Sequence, residues 1–190
     1  MGFEFYLTSI LLGIGLAMDA SAVSMANGLK EPLMKLKKII IIALLFSLFQ
    51  AIMPLIGYFV GHAILKYIEG FIPWIALILL CIIGGKMIYE GISSKECDEE
   101  SPSLTYKLLL IQAIATSIDA LSVGFSISNY TIPMALICAL LIAIVTFVIC
   151  FVSVFIGKKF GAKLGCKAEI LGGIILIGIG LEIFISGIFF

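Results

Sequence analysis

Six apolar runs separated by short polar connections make up most of the chain: residues 5–28, 39–61, 71–92, 108–128, 132–156 and 170–190. Each holds about 20 residues or more, and at a helical rise of ~1.5 Å per residue that covers the ~30 Å hydrocarbon core of a bilayer with some allowance for tilt. Helices are the expected form, because a membrane barrel would show alternating segments of about 10 residues instead. The pattern predicts an all-α membrane protein with six transmembrane helices. Its lysines sort by side. Lys30, Lys35, Lys37 and Lys38 fall in the first connection, Lys95 and Lys107 in the third, and Lys158, Lys159, Lys163 and Lys167 in the fifth. The second connection holds only Lys66 and the fourth none. The positive-inside rule then puts the odd connections in the cytoplasm and both termini outside. Lys86 stands apart, inside the third run.

The pattern also repeats. Gly15 to Asn27 reads GLAMDASAVSMAN, and at an offset of 100 Asp19, Ala20 and Val23 fall on Asp119, Ala120 and Val123 of the segment ATSIDALSVGFS. The offset of 100 also relates Ile56, Gly57 and Gly61 to Ile156, Gly157 and Gly161, and an offset of 96 carries Gly84, Lys86 and Gly91 onto Gly180, Glu182 and Gly187. The chain therefore reads as two three-helix units, residues 1–92 and 107–190, joined by a hydrophilic cytoplasmic loop over 93–106. Three is odd, so the second unit is inverted in the membrane relative to the first, an arrangement of secondary transporters whose site lies at the midplane between repeats. The loop carries Glu96, Asp98, Glu99 and Glu100 beside Cys97 and reads as a solvated acidic linker.

Composition sharpens the membrane reading and removes other classes. With 62% hydrophobic residues, 13% charged and a mean hydropathy of +1.25, the chain cannot cover a soluble domain with polar surface. No positive charge precedes the first apolar run, so that run reads as a retained helix and not a cleaved signal peptide. The formal net charge is zero, with twelve Lys or Arg against twelve Asp or Glu, which offers nothing to nucleic acid. The five cysteines form no CxxC pair and read as free thiols in apolar surroundings. Neither Gly84-Gly85-Lys86 nor Gly157-Lys158-Lys159 has the spacing of a phosphate-cradling loop, and no GxSxG or HExxH pattern marks an intramembrane enzyme. No nucleotide or resident cofactor is expected.

The chemistry concentrates on the two aspartates. Each sits near the middle of a span, where an Asp costs roughly 2.5–3.5 kcal/mol on insertion scales, a cost that needs an offsetting role. On a helical wheel the fourth span places Gln112, Thr116, Asp119, Ser122 and Ser126 on one side. The first places Thr8, Leu12, Gly15, Asp19, Ala22 and Ala26 on one side, a strip of mostly small residues that would let another helix approach closely. Two carboxylates brought together in low dielectric repel, and a divalent cation between them removes the conflict. Hydroxyl, amide and backbone oxygens around them would suit manganese, magnesium or calcium better than copper or zinc. The expected metal set is Asp19, Asp119, Thr116, Ser122 and Gln50, the last near Ser47 and Pro54, whose ring frees a backbone carbonyl at membrane depth. Met18 and Met25 read as packing. Lys86 and Glu182 occupy matching repeat positions and read as an ion pair or a proton relay. A protonated aspartate pair that only fixes helix packing is the competing structural reading.

The segments Met18-Asp19-Ala20, Ala113 to Ala120 (AIATSIDA), Gly84 to Gly91 (GGKMIYEG) and Lys167 to Gly173 (KAEILGG) resemble the MntP family of manganese efflux pumps. The resemblance implies a multi-pass exporter of the bacterial inner membrane that lowers cytoplasmic manganese, with the aspartates matching Asp19 and Asp119 important for transport. Some relatives carry Glu where this chain has Gln50 and Gln where it has Glu182, and the central loop here is shorter and less charged. The combined expectation is a secondary-active exporter of manganese(II), in exchange for protons, with the ion between Asp19 and Asp119. The alternatives are another cargo, such as cadmium or an amino acid, or a non-transporting membrane protein. Oligomeric state is not legible.

Overall fold

The computed structural model describes residues 2–68, 72–93, 104–127, 130–164 and 167–189, and among these every regular element is a helix. The helices are α1 (Phe3–Lys30), α2 (Leu36–Ile68), α3 (Ile72–Ser93), α4 (Tyr106–Ser117), α5 (Ala120–Ser126), α6 (Ile132–Leu164) and α7 (Lys167–Phe189). Three stretches are long and apolar enough to cross a membrane outright, Phe3–Lys30, Leu36–Val60 and Ile132–Gly161. Leu80–Tyr89 and Ile170–Glu182 are shorter apolar helical stretches. The acidic loop, including Glu96 to Glu100, lies outside the described residues, as do Cys97 and Cys166.

One expectation is corrected. The fourth span was expected to run unbroken over 108–128, but it is two helices, with the regular helix interrupted at Ile118 and Asp119 although Ile118 itself keeps helical dihedrals. The cause is local. Thr116 Oγ1 donates to the carbonyls of Gln112 and Ala113 at 3.0 and 3.3 Å, and Ser117 Oγ to that of Ile114 at 3.1 Å. Hydroxyls that bond back to the preceding turn compete with the backbone ladder and bend a helix. After the break the chain restarts with tight three-residue bonds, Leu121 N to Ile118 O and Ser122 N to Asp119 O. The matching positions of α1 are Leu16 and Ala17, which carry no hydroxyl, and α1 runs straight through Asp19.

Close glycine contacts fix how the helices pair. α1 lies along α6 in parallel: Gly13 meets Ile142 and Val145, and Gly28 meets the backbone of Val154 and Gly157. At Gly157 the approach is backbone to backbone, against Met25 and Gly28. Where α5 follows α4, Gly124 meets the backbone of Pro54 in α2, and Gly57 meets that of Leu121. α3 and α7 pair in antiparallel fashion, with Gly84 against Gly173 and Gly180 against Leu77. Pro54 sits inside α2. Along α6 the close approach of α1 is made by Gly13 and Gly28; of the expected strip, Ala26 comes close to Gly172 of α7, whereas Gly15 faces open space.

Polar contacts tie the bundle at its two ends. At one end Glu31 Oε2 binds Lys38 Nζ at 2.6 Å and accepts from Leu104 N at 2.9 Å, and Lys158 Nζ donates to Met34 O at 2.6 Å. Lys30, Lys35, Lys37, Lys38 and Lys158 therefore gather where α1 ends, α2 begins and α6 ends. At the other end Tyr58 Oη donates to Tyr130 O at 2.7 Å, and Phe5 meets Tyr130 edge-on with centroids 5.5 Å apart. Lysines at one rim and aromatics at the other match the two faces of a bilayer.

Candidate functional site

The bundle's interior is not one apolar core. Toward the lysine end, Ala20 and Val23 of α1 pack with Phe46 of α2, Ala113 of α4 and Cys150 of α6. Toward the aromatic end, Leu16 of α1 packs with Ala120 of α5, Ile142 of α6 and the partly buried Met53 of α2. Each of these four spans passes from one cluster to the other through a polar residue. α1 does so at Asp19, α2 at Gln50, the broken span at Thr116 to Asp119, and α6 at Thr146.

This layer is short of hydrogen-bond partners. Gln50 is fully buried and its Nε2 donates to Leu16 O at 2.5 Å, which leaves Oε1 with none. Asp119 Oδ1 and Thr146 Oγ1 are likewise buried without a partner. An unmet buried polar group costs about 1–3 kcal/mol. All three orphans are oxygens with free lone pairs, the donor type that hard divalent cations take. Asp19 acts electrostatically on Asp119 across the interface between the two halves of the chain, and Glu182 of α7 acts on Asp19. No three His, Cys, Asp or Glu side chains come together among the described residues, so the layer offers carboxylates completed by neutral oxygens.

The expected residues divide. Asp19, Asp119, Gln50 and Thr116 belong to the layer, although the Thr116 hydroxyl is turned back onto its own helix. Ser122 is exposed, because the break rotates α5 relative to α4. The side chain of Ser126 lies outside the described set. Met18 is 67% exposed, in keeping with a lipid-facing role. Lys86 and Glu182 both lie on exposed faces of their helices. Thr146 was missed by sequence reasoning. Its signal was a lone hydroxyl within the otherwise apolar stretch Ile142 to Ile149, which composition alone treats as noise.

On the aromatic side of Asp19 an open, apolar groove of about 400 Å³ runs along α1 beside Val123 of α5, lined by Thr8, Leu11, Leu12, Gly15 and Leu16. On the lysine side the same two halves of the chain are joined. Asn27 Nδ2 donates to Gln112 Oε1 at 2.8 Å, both side chains being fully buried.

The family model described as "Putative manganese efflux pump" matches residues 33–184. A protein of Ruminiclostridium cellulolyticum named "Putative manganese efflux pump MntP" is 51% identical over 95% of this chain and 96% of its own length. Proteins of the same name from Methanosarcina mazei and Rippkaea orientalis are 44% and 46% identical, covering 94% and 96% of this chain and 95% and 97% of their own lengths. No solved structure matches the chain. With a model match over most of its length and near-full-length relatives at these identities, this helical membrane protein belongs to the MntP family of manganese efflux pumps.

Proposed function

We propose that the chain is a secondary-active exporter that carries manganese(II) out of the cytoplasm across the inner membrane, in exchange for protons, with the ion held between Asp19 and Asp119. The observation that carries this reading is the layer between the two apolar clusters, which holds a carboxylate from each half and the buried, unpartnered oxygens of Gln50, Asp119 and Thr146. A ligand carboxylate must be free of its proton to bind metal, so cation and proton compete for one site, and competition is the basis of exchange. In proteoliposomes, manganese efflux should accelerate when the side that receives the ion is made more acidic. Flux indifferent to that gradient would sink the exchange, and a stronger response to cadmium or to an amino acid would replace the cargo.

The same reading takes residues 1–92 and 107–190 as inverted units, and the helix crossings support it. The offset of 100 relates Pro54 and Gly57 to Val154 and Gly157, and these meet Gly124 and Gly28 respectively. The offset of 96 carries Gly84 onto Gly180 and Leu77 onto Gly173, and both Gly84–Gly173 and Leu77–Gly180 are in contact. The lysine-bearing end faces the cytoplasm and both termini lie outside. An impermeant thiol reagent added to intact cells should therefore spare Cys97 and Cys166. Ready labelling of either from outside contradicts this orientation.

A further inference from the structure

We propose that Asn27 and Gln112 form the inner gate of the ion path, a polar latch between two moving halves that opens to admit the cation from the cytoplasmic side. The inference rests on the reading of Asp19 and Asp119 as the ion site.

The helices group into two tightly joined parallel pairs. α1 is bound to α6 through the backbone approach of Gly28 and Gly157, and α2 to the α4–α5 span through that of Gly57 and Gly124. Contacts of this kind have no side chain between them to adjust, so each pair moves as a unit. Asn27 belongs to the first pair and Gln112 to the second. α1 meets α4 over a short stretch only, whereas it follows α6 along its length. α2 also packs extensively on α6 and joins the two pairs, so Asn27 and Gln112 part by a swing about that contact, with little packing lost between α1 and α4 themselves.

The bridge is also incomplete. Asn27 Oδ1 and Gln112 Nε2 are buried with no partner, and one turn above Asn27 toward Asp19 the Ser24 hydroxyl lies beside the Cys150 thiol. Two amides retained only to glue helices would gain from completing their bonds. These keep a free oxygen and a free N–H on the route between the lysine-bearing end and the aspartates. When the halves part, the amide and hydroxyl oxygens are placed to receive a divalent cation and its remaining water, the neutral hard donors such an ion accepts. The groove along α1 lies on the opposite side of Asp19. The latch therefore stands on the inner side of the aspartates, while the outer side is closed by the apolar cluster around Leu16, Ala120 and Ile142.

The test uses full-length protein in proteoliposomes, with the five native cysteines replaced and manganese export retained, carrying Asn27→Cys together with Gln112→Cys. Oxidation should cross-link the pair and reduce manganese flux to that of empty liposomes, and a reductant should restore it. A second readout separates a gate from a brace. Ser24→Cys should be shielded from an impermeant thiol reagent applied on the cytoplasmic side, and adding Asn27→Ala with Gln112→Ala should raise its labelling several-fold. Failure to cross-link, undiminished flux in the cross-linked protein, or Ser24→Cys labelling unchanged by the double alanine substitution each overturns the gate. Asp19→Asn in the cross-linkable background keeps the two readings apart. Retained flux there discards the ion site, while the cross-link still reports on the latch.

Discussion

Asp19→Asn and Asp119→Asn should each abolish manganese efflux while leaving a folded, inserted protein. Asn keeps the size of Asp and one acceptor oxygen, and replaces the other oxygen and the charge by an amide NH2 that cannot ligate a cation. At an effective dielectric of about 20, a unit charge ~4 Å from another contributes about 4 kcal/mol, and a divalent ion doubles the attraction. Even with half of that lost to solvent, the affinity falls by roughly a thousandfold. Thr146→Val and Gln50→Leu remove neutral donors, so they should weaken binding and raise KM before they stop transport. The measurements are flux in proteoliposomes and the thermal stabilisation that manganese gives each variant, since a ligand bound only to the folded state raises Tm. Full activity of either Asn variant removes the aspartates from the site.

The second large effect is on folding. Gly157→Ala and Gly124→Ala should each lower stability markedly, by about 1–3 kcal/mol or more, the usual cost of forcing atoms into a filled space. The added methyl at Gly157 meets the Met25 carbonyl and Gly28 Cα, and at Gly124 it meets the Pro54 carbonyl. Backbone cannot rotate away as a flexible side chain can, so the helices must separate. Gly15→Ala is the control. Nothing lies within 4 Å of its added methyl, and the better helix propensity of Ala should leave it as stable as the wild type or more so. Thermal denaturation in detergent, followed by loss of the monodisperse fraction, compares the three. Equal stability of Gly157→Ala and Gly15→Ala would contradict the close approach.

Much of this was legible from the chain. Length and hydropathy located helices in all six apolar runs, because burial of backbone hydrogen bonds leaves a membrane segment little choice but helix, although α2 and α6 run on to Ile68 and Leu164 and the fourth run is broken. Asp19 and Asp119 stood out by the cost of a carboxylate at membrane depth and Gln50 by its place near Pro54, and the structure buries Gln50 and leaves Asp119 Oδ1 without a partner; their role in holding the ion belongs to the proposal. What failed was anything that depends on rotation about a helix axis. The break at Ile118 and Asp119 turned Ser122 outward, and the wheel that put Ser122 beside Asp119 assumed one unbroken helix. The close-approach strip of α1 was read only in part, with Ala26 but not Gly15 against another helix, for a related reason. Gly13 and Gly15 are both small, and only the position of α6 decides which is used. Thr146 and the Asn27–Gln112 bridge depend on which spans become neighbours, and hydropathy carries no record of that.

The broken fourth span also bears on how the protein is assembled. At ~1.5 Å per residue the 12 residues of α4 reach about 18 Å and the 7 of α5 about 10 Å, so neither crosses a bilayer by itself. Backbone that leaves helical geometry at that depth is tolerated only against protein or water, never against lipid. α2 packs through Pro54 and Gly57 against Leu121 and Gly124, just past the break, and α2 precedes the broken span in the chain. During synthesis the ribosome thus delivers the scaffold before the segment that cannot stand without it.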